Sequence, residues 1–209
     1  MKAVHFSWRW LRRGLAVLVL LLLAWQGWYL GWVVWWKFVN PSTTSFMSLR
    51  LDELREKDPH AGLKQQWVPY ERVSAHLKRA VVAAEDAKFS EHEGFDWEGI
   101  QKALEKNQKK GRIVAGGSTI SQQLAKNLFL SASKTPWRKA QEAVITLMLE
   151  AVLDKRRILE IYLNVVEWGP GIFGAEAAAR HYYGLSAAQL SAEQAARLAV
   201  LLPNPRKFG

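Results

Sequence analysis

The chain has 209 residues, with 29 Lys and Arg against 19 Asp and Glu for a formal charge of +10, no cysteine and 11 tryptophans. That length holds one domain with an appendage and excludes two full-sized catalytic domains; a 49% hydrophobic share with 23% charged residues excludes disorder as the overall state. Without cysteine there is no disulfide, thiolate catalysis or Cys-based zinc site.

The averages conceal a split. Residues 1–40 hold 7 of the 11 Trp and five bases but no acid, so the remaining residues carry 24 bases against 19 acids, an excess of only +5. Residues 1–13 form a basic N-terminus, with Arg9, Arg12 and Arg13 just before a run from Gly14 to Trp36 in which Gln26 is the only strongly polar residue. Those 23 residues, as a helix rising ~1.5 Å per residue, reach roughly 35 Å, enough to cross a hydrocarbon core of about 30 Å. Trp8 and Trp10 at one end and Trp32, Trp35 and Trp36 at the other make two aromatic belts. The run is too long for a signal-peptide core and no small-x-small site follows Ala24, so a retained transmembrane helix over 14–36 is expected. The excess of bases before it puts the N-terminus in the cytoplasm and the rest of the chain on the other side.

Residues 37–48 read as a linker, with Pro41 and a cluster of hydroxyl side chains, and residues 49–209 as the folded domain. Ser74 caps a helix over His76–Lys88 with Leu77, Val81 and Ala84 on one face. A basic stretch, Lys102–Arg112, either attracts anionic headgroups or forms a solvated loop. Further helices start near Ser118–Thr119, at Thr135-Pro136 (N-cap and N1, running to about Leu153) and at Ile158. Glycines 169, 171 and 174 form a loop before a helix over Ala175–Arg180. The last helix, Ser191–Leu202, opens on a Ser191/Gln194 capping box, and a short tail is expected beyond Gly209. No stretch alternates long enough to predict a sheet, so the class is mainly α.

Familiar catalytic signatures are absent. His92-Glu93-Gly94 lacks the second His of a zinc hydrolase, and there is no phosphate-binding Walker loop or nucleophile elbow. Carboxylate, amide, hydroxyl and lysine chemistry remains. Glu85-Asp86 follows Ala80-Val81-Val82-Ala83-Ala84; if that run packs inward, a carboxylate at its end is desolvated and suits a general base, and otherwise the pair is a solvated helix end. In Gly116–Asn127 two glycines precede a helix N-terminus, and Thr119, Gln122, Gln123 and Lys126 form one polar stripe. It reads as a phosphate and sugar site, or as an amphipathic helix capped by Thr119 and Gln122. Glu142 lies four residues after Arg138 and three after Lys139, which keeps it ionised and suits an orienting role or a surface ion pair.

In this order the segments resemble the peptidoglycan glycosyltransferases, glycosyltransferase family 51, in their single-domain membrane-anchored form. Glu85, Asp86, Phe89, His92 and Gly94 meet the pattern E-D-x-x-F-x-x-H-x-G; Gly116 to Asn127 meets G-x-S-T-I-x-Q-Q-L-x-K-N; Arg138, Lys139 and Glu142 meet R-K-x-x-E; Lys155 to Asn164 meets K-x-x-I-L-E-x-Y-L-N. The resemblance implies a lysozyme-like, mostly helical domain that polymerises lipid II into β-1,4-linked glycan with inversion, releasing undecaprenyl diphosphate at the bacterial inner membrane. It implies Glu85 as base and Glu142 as second catalytic carboxylate. Substrate is to be bound by Asp86, Phe89, His92, Ser118, Thr119, Gln122, Gln123, Lys126, Asn127, Lys134, Arg138 and Lys139, with Asp86 and His92 also shaping the Glu85 segment. No cofactor is required, though Glu142 could hold a divalent ion, Mg or Mn. Expected partners are lipid II, the growing glycan strand, membrane lipids and other cell-wall synthesis proteins, with no nucleic acid. A lytic enzyme acting on the same polymer would have little use for the diphosphate-facing cations, and a non-catalytic scaffold would have no use for Glu85.

Overall fold

The computed structural model describes residues 8–112 and 116–208. The first seven residues of the expected basic N-terminus, Lys2 among them, lie outside the described residues. The chain runs through α1 (Trp8–Trp36), α2 (Ser45–Arg55), β1 (Lys64–Gln65), α3 (Ala75–Glu85), α4 (Trp97–Lys110), α5 (Ile120–Phe129), α6 (Pro136–Val152), α7 (Lys155–Val165), β2 (Glu167–Gly169), β3 (Ile172–Phe173), α8 (Ala175–Tyr183), α9 (Ala192–Ala199) and α10 (Pro205–Phe208).

Helix α1 is long and apolar enough to cross a membrane. It starts earlier than the apolar run, absorbing Arg9, Arg12 and Arg13. Most of it is exposed; only Tyr29, Val33 and Trp36 are buried, all in its second half, where it packs on the folded domain. Helix α2 begins inside the stretch read as linker. Thr44 caps it by accepting from the Met47 N–H, and Phe46 and Met47 turn into the core.

Helix α5 lies at the centre, with Ile120, Leu124, Ala125 and Leu128 buried against α2, α6 and α7. The caps at Ser74, Thr135 and Ser191 form as their sequences dictate, each oxygen accepting from an N–H three residues on. The basic stretch is helix α4 and not a loop: Asp96 caps its start and Gly111, at φ 61°, ends it in the left-handed conformation. A small sheet, in order β1-β3-β2, was not legible in the sequence. β1 pairs parallel with β3 through Lys64–Ile172 and Gln65–Phe173, and β3 runs antiparallel to β2. Gly174 follows at φ 84°, where a Cβ would meet the Asn164 carbonyl at 2.7 Å, so α8 can pack under α7 only with glycine there.

Candidate active site

Helix α3 ends at Glu85, three residues earlier than the apolar spacing suggests, and Asp86 is the reason. Asp86 leaves the helix with extended backbone (φ −164°), and its Oδ2 accepts from the Ile120 N–H at 3.0 Å. A carboxylate is unfavourable at the C-terminus of α3 but favourable at the open N–H groups that begin α5. His92 supplies the second bond. Its Nδ1 accepts from the Gly94 N–H at 3.1 Å, which leaves the proton on Nε2 to be donated to Asp86 Oδ1 at 2.8 Å. The Gly94 carbonyl in turn accepts from the Thr119 hydroxyl at 2.7 Å, closing a ring of hydrogen bonds around the start of α5. Gly94 is at φ 94° and presses on α6, where a Cβ would come within 2.8 Å of Thr146 Cγ2.

Beside this fully bonded carboxylate, Glu85 is half-buried and half-satisfied. Its Oε2 accepts from Gln123 Nε2 at 2.7 Å, and Gln123 Oε1 accepts from the Tyr162 hydroxyl at 2.9 Å, so the amide is fixed in direction. Glu85 Oε1 has no partner among the described residues. Burial pushes the Glu85 carboxyl above its ordinary value; the Gln123 hydrogen bond and the Lys126 charge oppose this, and Asp86 adds to it. Burial likewise holds the Tyr162 phenol well above its usual range, a neutral donor at any working pH. A cavity of about 210 Å³ opens over Glu85, lined also by Ala83, Ala84, Gly117 and Ser118. Ala84, expected on the core face of α3, is exposed and lines this cavity; the inward face consists of Leu77 and Val81.

The Lys126 charge reaches the Glu85 carboxylate, and Lys126 in turn feels the cations of α6. Lys126, one turn beyond Gln123 on α5, lies half-buried over the Phe46 ring with no hydrogen-bond partner among the described residues. Burial lowers its pKa; the Glu142 carboxylate raises it, while Arg138, Lys139 and Arg50 lower it further. It lines a second cavity of about 220 Å³ with Gln123, Asn127, Arg50, Glu167 and Arg206. Gln123 therefore joins the two cavities, lining one and bonding the carboxylate that lines the other. On α6 the buried Glu142 accepts from Arg138 at 2.5 Å and from Lys139, whose Nζ also reaches Ser118 Oγ at 3.4 Å. Both Glu142 oxygens are engaged by cations, a donor set that suits ordering those cations and does not suit holding a divalent ion.

The expected polar stripe on α5 divides. Thr119 and Gln122 are buried and close the capping box on each other, so their polar side-chain atoms are engaged within the fold although Thr119 lines the Glu85 cavity, whereas Gln123 and Lys126 line the second cavity. Phe89 lies in the core under the Lys155 ammonium, offering no surface to a ligand, because the turn after Asp86 folds it inward. Asn127 is buried and donates to the Gln123 carbonyl at 2.8 Å, stiffening α5 beside Lys126. Lys134 stands on the exposed segment between α5 and α6, and no described contact ties it to the Arg138–Glu142 cluster. Lys139 does meet Ser118, which lines the Glu85 cavity, and Arg138 is joined to Lys139 through Glu142. Sequence reasoning missed three residues. Tyr162 reads as packing in its helical period but anchors Gln123, and Arg50 and Glu167 form a buried pair across 117 positions for which no local signal exists.

A helical domain that sets a half-buried, proton-hungry carboxylate beside a cluster of ordered cations defines a group-transfer enzyme acting on a substrate with an anionic leaving group. The chain belongs to the transglycosylase family, whose model matches residues 52–209. It is similar to proteins named biosynthetic peptidoglycan transglycosylase. The one from Dechloromonas aromatica (strain RCB) is 70% identical over 200 residues, spanning 96% of this chain and 87% of the relative. The one from Azoarcus sp. (strain BH72) is 68% identical over 201 residues, with 96% and 87% covered, and the one from Nitrosospira multiformis 63% over 203, with 97% and 88% covered.

Proposed function

We propose that this chain is a peptidoglycan glycosyltransferase of bacterial cell-wall synthesis, polymerising lipid II from a position tethered to the inner membrane by α1. Glu85 Oε1 takes the proton of the acceptor sugar's 4-hydroxyl as that oxygen bonds to the donor's anomeric carbon. The bond from that carbon to the diphosphate breaks with inversion, and the electron pair leaves on the diphosphate. Lys126, Arg138 and Lys139 stabilise the departing charge, with Glu142 holding the latter two in place. Ser118 and Gln123 are within reach of substrate oxygens from the cavity walls. Asp86 and His92 act through the backbone, fixing where α3 ends and α5 begins. The bases Arg9, Arg12 and Arg13 before the span support a cytoplasmic N-terminus, which places the catalytic domain on the side where polymer is assembled. Tethering confines enzyme and polyprenyl-linked substrate to one thin layer and raises their effective concentration.

The observation that carries this reading is the asymmetry of Glu85, a residue that lines a cavity: one oxygen is pinned by Gln123, and the other is buried without a hydrogen-bond partner among the described residues. The test is incubation of the purified chain with lipid II. The parent is expected to make polymer and Glu85→Gln almost none; a protein that only shortens preformed glycan would be a lytic enzyme, and a Glu85→Gln variant as active as the parent would remove the base.

A further inference from the structure

Gln26 is the single strongly polar residue in the apolar run, and the structure gives it a partner. Its Nε2 donates to Gln141 Oε1 at 3.0 Å, and Gln141 Nε2 donates back to Gln26 Oε1 at 3.0 Å, so the two amides satisfy each other across 115 positions. Gln141 is buried, and it immediately precedes Glu142 on α6. One turn before Gln141, Trp137 stacks on Trp25 of α1 with centroids 6.0 Å apart and planes at 19°. Trp137 and Gln141 therefore form the ridge of α6 that faces α1, while Arg138 and Glu142, each one residue on, form the adjacent ridge, close enough for their charges to act on Lys126.

The same helix is pinned a second time. Arg157 of α7 donates through Nε and Nη2 to the Trp36 carbonyl at 2.9 and 2.8 Å, and through Nη2 to the Val39 carbonyl at 3.0 Å. Between the pins, Tyr29 and Trp36 pack their rings on Phe129 of α5, at 5.1 and 4.9 Å. Apolar contacts alone leave two helices free to roll over each other, because dispersion has no preferred direction, whereas a paired amide has one. We infer that Gln26 and Gln141 are positioning residues for the transfer reaction, their amide pair fixing the roll of α6 and through it the aim of Arg138 and Glu142. A roll of about 10° displaces a group ~6 Å from a helix axis by about 1 Å. Misplacement on that scale costs as much as about a hundredfold in rate. On this account α1 is a brace for the catalytic helix as well as a tether. This rests on the glycosyltransferase reading above.

The test uses the full-length chain in vesicles, with Gln26→Leu, Gln141→Leu and the double Leu variant. Each single change strands one amide in apolar surroundings and should lower both the unfolding temperature and the rate. The double change removes both amides, so its unfolding temperature should return towards the parent's. Its kcat for lipid II polymerisation should nonetheless stay about tenfold low, with KM nearly unchanged. Hydrogen exchange at residues 138–142 should be faster in the double variant than in the parent and unchanged along α3, a readout that needs no substrate. A double variant with the parent's kcat and the parent's exchange at 138–142 would overturn the inference. A parent chain that makes no polymer would instead count against the proposed reaction, and the exchange comparison would still decide whether the amide pair holds α6.

Discussion

Glu85 and Glu142 are both carboxylates drawn out of water near one cleft, and their surroundings differ in one respect. Glu142 is buried with two cations on its oxygens, so its charge is neutralised where it stands and it serves as a fixed point for Arg138 and Lys139. Glu85 is half-buried against a neutral amide that a neutral phenol holds in place, with Lys126 acting only from a distance, so ionising it stays unfavourable and its proton affinity rises. Burial with counter-charge makes a scaffold; burial with dipoles makes a base. Asp86 extends the lesson. One residue from Glu85, it has a hydrogen-bond partner on each oxygen, His92 on one and the α5 N-terminus on the other.

The contrast is most severely strained by Glu85→Gln, which keeps shape and removes the proton acceptor. Polymerisation is expected to fall about 10³-fold, within the usual range for a lost general base, read as initial rate of lipid II consumption. Stability should move the other way. A folded-state pKa raised above the unfolded one means a contribution present at low pH and lost as pH rises through the folded value, so ionised Glu85 is a cost at neutral pH. The Gln variant should unfold at a higher temperature than the parent at neutral pH, and the difference should vanish in acid. Glu142→Gln comes next. It should cost about 10²-fold in rate by loosening the cations that meet the leaving group. It should also cost about 3 kcal/mol in stability, because the Arg138 guanidinium stays largely buried without its carboxylate; urea unfolding measures this. A rate loss with unchanged stability would mean that the cluster is not the ordered unit described.

Smaller effects sharpen the picture. Tyr162→Phe frees the Gln123 amide to turn, and since that amide's hydrogen bond holds the Glu85 pKa down, the acid limb of the pH–rate curve should move up, with roughly a tenfold loss in kcat. Thr119→Ala should cost about 1 kcal/mol of stability as a lost helix cap and less than twofold in rate once folded. A large rate loss there would mean that the Thr119 hydroxyl, through its bond to the Gly94 carbonyl or directly, matters to the reaction beyond capping α5.

Much of this was legible in the chain, and the reasons for the rest are physical. Caps at Ser74, Thr135 and Ser191 show because a cap is a contact three residues long, and α1 shows because its apolar run is unbroken and long enough to cross a membrane. Of the two readings of Gly116–Asn127, the capping one holds for Thr119 and Gln122, while Gln123 and Lys126 line a cavity. Helix α4 was hidden behind its charge, although Asp96 and Gly111 mark its ends. Strands of two and three residues carry no period to detect, and they exist only because β3 finds β1 across the fold. The pairs Gln26–Gln141, Gln123–Tyr162 and Arg50–Glu167 join positions far apart in the chain, so only the packing of α1 on α6, α5 on α7 and α2 on β2 reveals them.

The pH dependence of kcat/KM for lipid II polymerisation, measured on the full chain in vesicles, tests the base most directly. Activity should fall on the acid side through a single group titrating above the ordinary glutamate range, and the residual activity of Glu85→Gln should lack that limb. A limb at the ordinary carboxylate value, or one that survives the substitution, would contradict Glu85 as the group that accepts the proton.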